Sequence, residues 1–262
     1  MINLTIPLYP YIPSGNVFPW DSPYHTEDIA TYELNAARLF YISLGSDTGT
    51  RLMAHSLVEE GGLSVCDLPL PNLLNREAIV LRIPKSAGEC IDARDLDIAL
   101  RKAPQIKQHD AIVVVTNWGD SYRWKSIGVD YVLQTPHFSP EGGAYLKEFM
   151  KVHNVDLLLT DCALLDGIMQ LALHKQWLNQ PEWIRLPYPS ENAKAYLRNY
   201  DSTKSMIDFS VTRSLLAESW IIAGLANAGR LISDRVLLNC LPMFIQNAGE
   251  APCTVVAELS GS

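Results

Sequence analysis

Residues 43–57 read Ser43-Leu44-Gly45-Ser46-Asp47-Thr48-Gly49-Thr50-Arg51-Leu52-Met53-Ala54-His55-Ser56-Leu57. An apolar run, Leu39-Phe40-Tyr41-Ile42, precedes them and reads as a buried strand. Two glycines and several hydroxyl residues then break the pattern, as in a polar loop. Gly49 between two threonines marks a sharp turn or a close backbone approach. Within nine residues the stretch sets an acceptor (Asp47), a permanent cation (Arg51) and a titratable ring (His55).

On either side, strand and helix patterns alternate. Met1 to Leu8 suggests a first strand, and Tyr32 to Ser46 a second. Ala78 to Ile83 is β-branched and apolar, and Ala111 to Thr116 is apolar throughout, which predicts a strand covered on both faces. Asp95 to Arg101 has helical spacing, acidic early and basic late. Ser139-Pro140-Glu141 opens another helix, with Ser as cap and Pro at its first position, running to Val152 and burying Tyr145, Leu146, Phe149 and Met150. Val155 to Thr160 is a further strand, Thr212 to Ala217 a helix, and Arg235 to Ile245 with Thr254 to Leu259 are closing strands. The irregular stretch 174–210 reads as a lid, a subunit contact or a plain surface excursion. With no repeat, low-complexity tract or linker, residues 1–262 are expected to form a single α/β domain, a mixed β-sheet with flanking helices.

Bulk properties narrow the function. A net charge of −8 argues against nucleic-acid or anionic-membrane partners, which need clustered Lys and Arg. No apolar run approaches the roughly 20 residues of a membrane span. The first residues lack the basic and apolar regions of a signal peptide. Five cysteines at irregular spacing (Cys66, Cys90, Cys162, Cys240, Cys253) read as free thiols, and Cys162 as core filler. A cytoplasmic protein is the expectation. The six histidines form no short pair, so a transition-metal site is not expected from spacing. The Gly61-Gly62 and Gly142-Gly143 pairs lack a phosphate-loop context, and no cofactor is expected.

The frame Asp47-Thr48-Gly49-Thr50-Arg51-Leu52-Met53 resembles the signature of the cyclase family, which includes bacterial kynurenine formamidase and isatin hydrolase. There the pattern His-x-Gly-Thr-His-x-Asp-x-Pro-x-His holds a catalytic divalent metal. Thr48-Gly49-Thr50 keep its scaffold, while the three ligand positions hold Asp47, Arg51 and Met53. Guanidinium has no lone pair to give, and thioether is a poor ligand for hard or borderline cations. Other resemblances span most of the chain. They include Leu4 to Pro13, Phe18-Pro19-Trp20-Asp21, Asn117-Trp118-Gly119, the acids of Asp161-Cys162-Ala163-Leu164-Leu165-Asp166, and Ile221 to Asn227. The family's further His and Glu fall on Thr212 and on Ala223 or Gly224. The resemblance implies a swivelling β/α fold and a homo-oligomer, dimer or tetramer, with pockets near subunit contacts.

Asp47, Arg51 and His55 are thus candidate catalytic residues in a metal-free polar cluster. Asp47 would orient or charge-stabilise His55, His55 would act as acid and base, and Arg51 would supply the positive charge. The alternative is that Asp47 and Arg51 form an ion pair that fills the vacated space. Trp20, Thr48, Thr50, Trp118 and Asp161 are the candidate substrate-binding residues. The leading function is a divergent, metal-independent enzyme that closes or opens a ring in a small carbonyl-bearing molecule, in specialised metabolism. The second is a non-catalytic ligand-binding or partner protein. The third is a metal-dependent amide hydrolase.

Overall fold

The structure is a computed structural model that describes residues 1–10, 12, 21, 24–120, 123–128, 130–167 and 209–259. Trp20 lies outside them, as does the 174–210 excursion except Phe209 and Ser210.

In chain order the strands and helices are β1 (Ile2–Asn3), β2 (His25–Ala30), α1 (Tyr32–Asn35), β3 (Leu39–Ser43), β4 (Arg51–Met53), β5 (Arg76–Arg82) and β6 (Cys90–Ile91). Then come α2 (Ala93–Lys102), β7 (Ala111–Val115), α3 (Arg123–Ser126), α4 (Asp130–Leu133), β8 (His137–Phe138), α5 (Pro140–Val152) and β9 (Leu157–Thr160). The chain ends with α6 (Ser210–Leu216), β10 (Trp220–Ala223), β11 (Arg235–Pro242) and β12 (Glu250–Leu259).

The main sheet runs β1-β12-β11-β5-β7-β9-β10-β4, and β4 also pairs with β12. That last pairing closes seven of the strands into a ring. β5, β7, β9 and β10 are parallel, whereas β4, β11 and β12 join antiparallel. Leu52, Val80, Val113, Leu159, Ile222, Val236 and Val255 meet in one core. On the other face Ile79, Ile112, Val114, Leu158 and Ile221 pack against Leu96 of α2, Leu146 and Met150 of α5, and Leu215 of α6. All of β7 is buried, as its unbroken apolar sequence predicts. Each such Val or Ile contributes about 1.5–3 kcal/mol relative to exposure.

Helices α2 and α5 begin where their side chains dictate. Asp92 accepts from Asp95 N–H while the Asp95 carboxylate accepts from Asp92 N–H, a reciprocal cap for α2. Ser139 Oγ accepts from Gly142 N–H at 3.0 Å, with Pro140 at the first position of α5. Within α5, Leu146 and Met150 are buried, while Tyr145 and Phe149 pack only partly.

Three expectations are corrected. First, Leu39–Ser43 is not a buried strand. It pairs only with β2, in a two-stranded sheet whose Phe40 is 43% and Tyr41 55% exposed. An apolar run reports a need for cover, and nothing in the run says where that cover comes from. Second, Tyr32 to Ser46 is not one strand, because α1 and a left-handed Ala36 interrupt it, and the N-terminal strand is confined to Ile2–Asn3. Third, the loop reading of 43–57 holds only to Thr50. Arg51–Met53 is a fully buried strand paired on both sides.

Gly49 has φ +74°, the left-handed conformation that admits glycine most readily. Gly119 answers a different need, since a Cβ there would lie 1.9 Å from the Leu225 carbonyl oxygen. The loops after β7 and β10 can touch only without that carbon. Gly119→Ala is therefore expected to lower stability by about 3 kcal/mol or more, or to prevent folding, as measured by urea unfolding.

Candidate active site

Pairing register builds the site. Across β4 and β12, Met53 faces Glu250, and across β4 and β10, Ala223 faces Arg51. Side chains alternate along strands, so Arg51, Met53, Ala223 and Glu250 share one sheet face. Arg51 and Glu250 are then diagonal neighbours, close enough for long side chains to meet. Their Nε and Oε2 atoms are 3.4 Å apart, with side-chain exposures of 4% and 15%. Arg51 also donates to the Ala163 carbonyl at 2.9 Å and the Gly49 carbonyl at 3.5 Å.

Asp47 joins this cluster. Burial pushes its carboxyl above the usual range, against the opposing pull of Arg51. Its side chain also hydrogen-bonds that of Asp21. Two carboxyl groups can share a hydrogen bond only if one carries a proton. Burial, reinforced by the Asp47 charge, pushes Glu250 up to about 7 despite Arg51. One guanidinium cannot neutralise three carboxylates, so the cluster holds protons near neutrality.

His55 stands apart, which corrects the expected Asp47–Arg51–His55 trio. It starts a 3₁₀ turn beyond β4, roughly 13 Å of extended chain from Arg51. Its ring lies 5.0 Å from the Trp220 ring, at the opposite end of β10 from Ala223. Glu250 occupies the place by Arg51 expected of His55. No local signal marked Glu250, because only strand register brings it to Arg51. Tyr131, in α4, was missed because only the tertiary fold brings that helix near Arg51. It is fully buried, feels the charges of Asp161 and Arg51, and has its phenol pushed up by burial.

Thr50, Trp118 and Asp161 make contacts that hold the scaffold. Thr50 Oγ1 accepts from Ile6 N–H at 2.9 Å and donates to the Gly224 carbonyl at 2.7 Å. The Asp161 carboxylate accepts from Thr116 N–H and Oγ1 and from Trp118 and Gly119 N–H, tying down the loop after β7. Trp118 is buried, donating its indole N–H to the Tyr131 carbonyl at 2.8 Å. Asp166 accepts from the N–H groups of Val211 and Thr212 at the start of α6. Thr48 is fully buried. Its Oγ1 and the Tyr131 hydroxyl have no hydrogen-bond partner among the described residues.

The metal implied by the resemblance does not fit these residues. A guanidinium fills one ligand position, and Met53 is buried among Ile221 and Ala223. Among the described residues no group of three His, Cys, Asp or Glu side chains is placed to hold a metal ion.

A family profile described as "Putative cyclase" matches residues 2–166. Isatin hydrolase A from Labrenzia aggregata, bound to benzyl benzoate, is structurally similar at a TM-score of 0.68 and 20% identity, covering 99% of this chain and 93% of that one. Isatin hydrolase A from Ralstonia solanacearum gives 0.68 and 17%, covering 99% and 91%. A potential metal-dependent hydrolase with cyclase activity gives 0.61 and 14%, covering 98% and 96%. No curated protein matches significantly in sequence. At these identities the likeness to solved structures shows the fold alone.

A raised carboxyl makes stability depend on pH. Between its ordinary value of 4.5 and about 7, Glu250 holds a proton in the folded chain that the unfolded chain has lost. Stability therefore falls as pH rises through that window, by up to ~1.4 kcal/mol for each pH unit crossed. Urea unfolding should show this decline in the wild type and a flatter profile in Glu250→Gln. Arg51→Met leaves buried carboxyls without their cation and should lose about 3 kcal/mol at neutral pH.

Proposed function

The chain belongs to the cyclase family, and from that membership we propose a metal-independent enzyme that acts on a small carbonyl-bearing organic molecule at the Arg51–Glu250 pair. The observation that carries this reading is two buried hydroxyls without partners among the described residues, Thr48 Oγ1 beside Asp47 in the chain and Tyr131 Oη, whose ring feels the Arg51 charge. Leaving a buried donor unpaired costs about 1–3 kcal/mol, which a bound polar ligand would recover. Arg51 would hold or polarise the substrate carbonyl, as a cation does where negative charge develops. The Glu250 carboxyl, charged and neutral in comparable amounts near pH 7, would take a proton and return it as a ring opens or closes. Such chemistry suits specialised metabolism.

A second reading is a ligand-binding or partner protein without chemistry. It is favoured by the guanidinium contacts with Glu250 and two backbone carbonyls, which let the pair simply fill space. A metal-dependent amide hydrolase ranks last because of the donor set. Assembly into a homo-oligomer belongs to the same proposal. It is supported by Ile29, Leu39, Phe40, Tyr41 and Ile42, which lie exposed on a two-stranded sheet of a kind that is marginal alone. No helix among the described residues is long and apolar enough to cross a membrane.

Isatin, named in the structural neighbours, is a ring lactam beside a ketone and makes a first probe within a panel of lactams, imides and open-chain keto acids. Turnover of a panel member should survive a chelator. It should drop about 100-fold or more in Arg51→Lys and lose its neutral inflection in pH in Glu250→Gln. Chelator-sensitive turnover, or wild-type rates in both folded variants, would refute the proposal. For assembly, Phe40→Asp with Tyr41→Asp should reduce the mass seen by light scattering.

A further inference from the structure

Strands β6 and β8 form a short parallel ladder in which Cys90 is paired with His137. The Glu89 carbonyl accepts from His137 N–H and the Ile91 carbonyl from Ser139 N–H, which fixes the register. The ladder puts Cys90 Sγ 3.2 Å from His137 Nε2. The other ring nitrogen, Nδ1, lies 3.4 Å from the Thr135 carbonyl. A carbonyl oxygen can only accept, so Nδ1 carries the hydrogen of the neutral ring. Nε2 therefore turns a lone pair toward the thiol. Gly167 closes over the ring, since a Cβ there would lie 2.5 Å from Nε2. His137 is 9% exposed, whereas Cys90 is open to solvent. A nucleophile, its base and a group orienting the base stand in sequence, with only the nucleophile exposed.

The other cysteines differ. Cys162, Cys240 and Cys253 are buried, and burial pushes their thiols up, Cys240 to about 12. Cys66 is exposed, and no imidazole contacts it among the described residues. All five are free.

We propose that Cys90, with His137 as its base, is a thiol-modification site that takes up one half of a low-molecular-weight disulfide. In the step, Cys90 Sγ attacks one sulfur of the disulfide R–S–S–R. Its proton passes to His137 Nε2 as the new sulfur–sulfur bond forms and the old one breaks. The departing thiolate then takes that proton and leaves as R–SH. The disulfide reagent is the only oxidant, and half of it is reduced to thiol. The proposal does not rest on the Arg51 cluster or on any activity there.

Glutathione disulfide is the probe. The full-length chain is incubated with it near pH 7, and adducts are located by intact mass and peptide mapping. Cys90 should react about tenfold or more faster than Cys66 in the same sample. His137→Gln, with folding checked by circular dichroism, should bring Cys90 down to the rate of Cys66. Equal rates at the two thiols in the wild type, or an unchanged Cys90 rate in folded His137→Gln, would overturn the proposal. The wild-type comparison decides even if the variant does not fold.

Discussion

Strand β4 is hydrogen-bonded to β10 on one edge and to β12 on the other, and the rest of the structure depends on this double pairing. Without β4 the sheet would have two open edges. With it, seven strands form a ring whose inner residues are screened from water. The strand is only three residues long, so each is committed. Leu52 fills the inner core, while Arg51 and Met53 face outward beside Ala223 and Glu250. A guanidinium in the middle of a closed sheet is tolerable only if countercharge and acceptors come with it. Glu250, Asp47 and the carbonyls of Gly49 and Ala163 supply them.

Two kinds of buried carboxylate stand out among the described residues. Asp161 and Asp166 sit on either side of the loop after β9 and receive backbone N–H groups, the first holding the loop after β7 and the second the start of α6. Both hold backbone in place, although burial still pushes the Asp161 carboxyl up to about 6 against those hydrogen bonds. Asp47 and Glu250 are less well matched. They share one cation at a buried position, and Asp47 is bonded to another acid, Asp21. Frustration of this sort keeps protons mobile near neutral pH, a property that catalytic sites use and stable cores avoid.

How much of this was legible depends on how far each signal reaches along the chain. The caps of α2 and α5 were readable because Asp92, Asp95 and Ser139 act on backbone within three residues. β7 was readable because unbroken apolar sequence has one economical solution in an α/β fold. Leu39–Ile42 misled, since an equally apolar run lies on an exposed two-stranded sheet. Arg51 was recognisable as anomalous through its place in the Thr-Gly-Thr frame, and Asp47 as a partner, whereas its second partner Glu250 was not. Composition gave His55 as the titratable neighbour, and the backbone carries that ring away to Trp220.

The sequence alone determined the alternation of strands and helices, the family frame and the chemical unsuitability of Arg51 and Met53 as metal ligands. These follow from side-chain chemistry and from periodicities only a few residues long. Tertiary structure alone decided that Glu250 reaches Arg51 while His55 packs on Trp220, and that Cys90 meets His137. Both meetings are set by strand register, where a shift of one residue turns every side chain to the opposite face. Register is fixed by the packing of the whole sheet, a quantity that no local window of sequence contains.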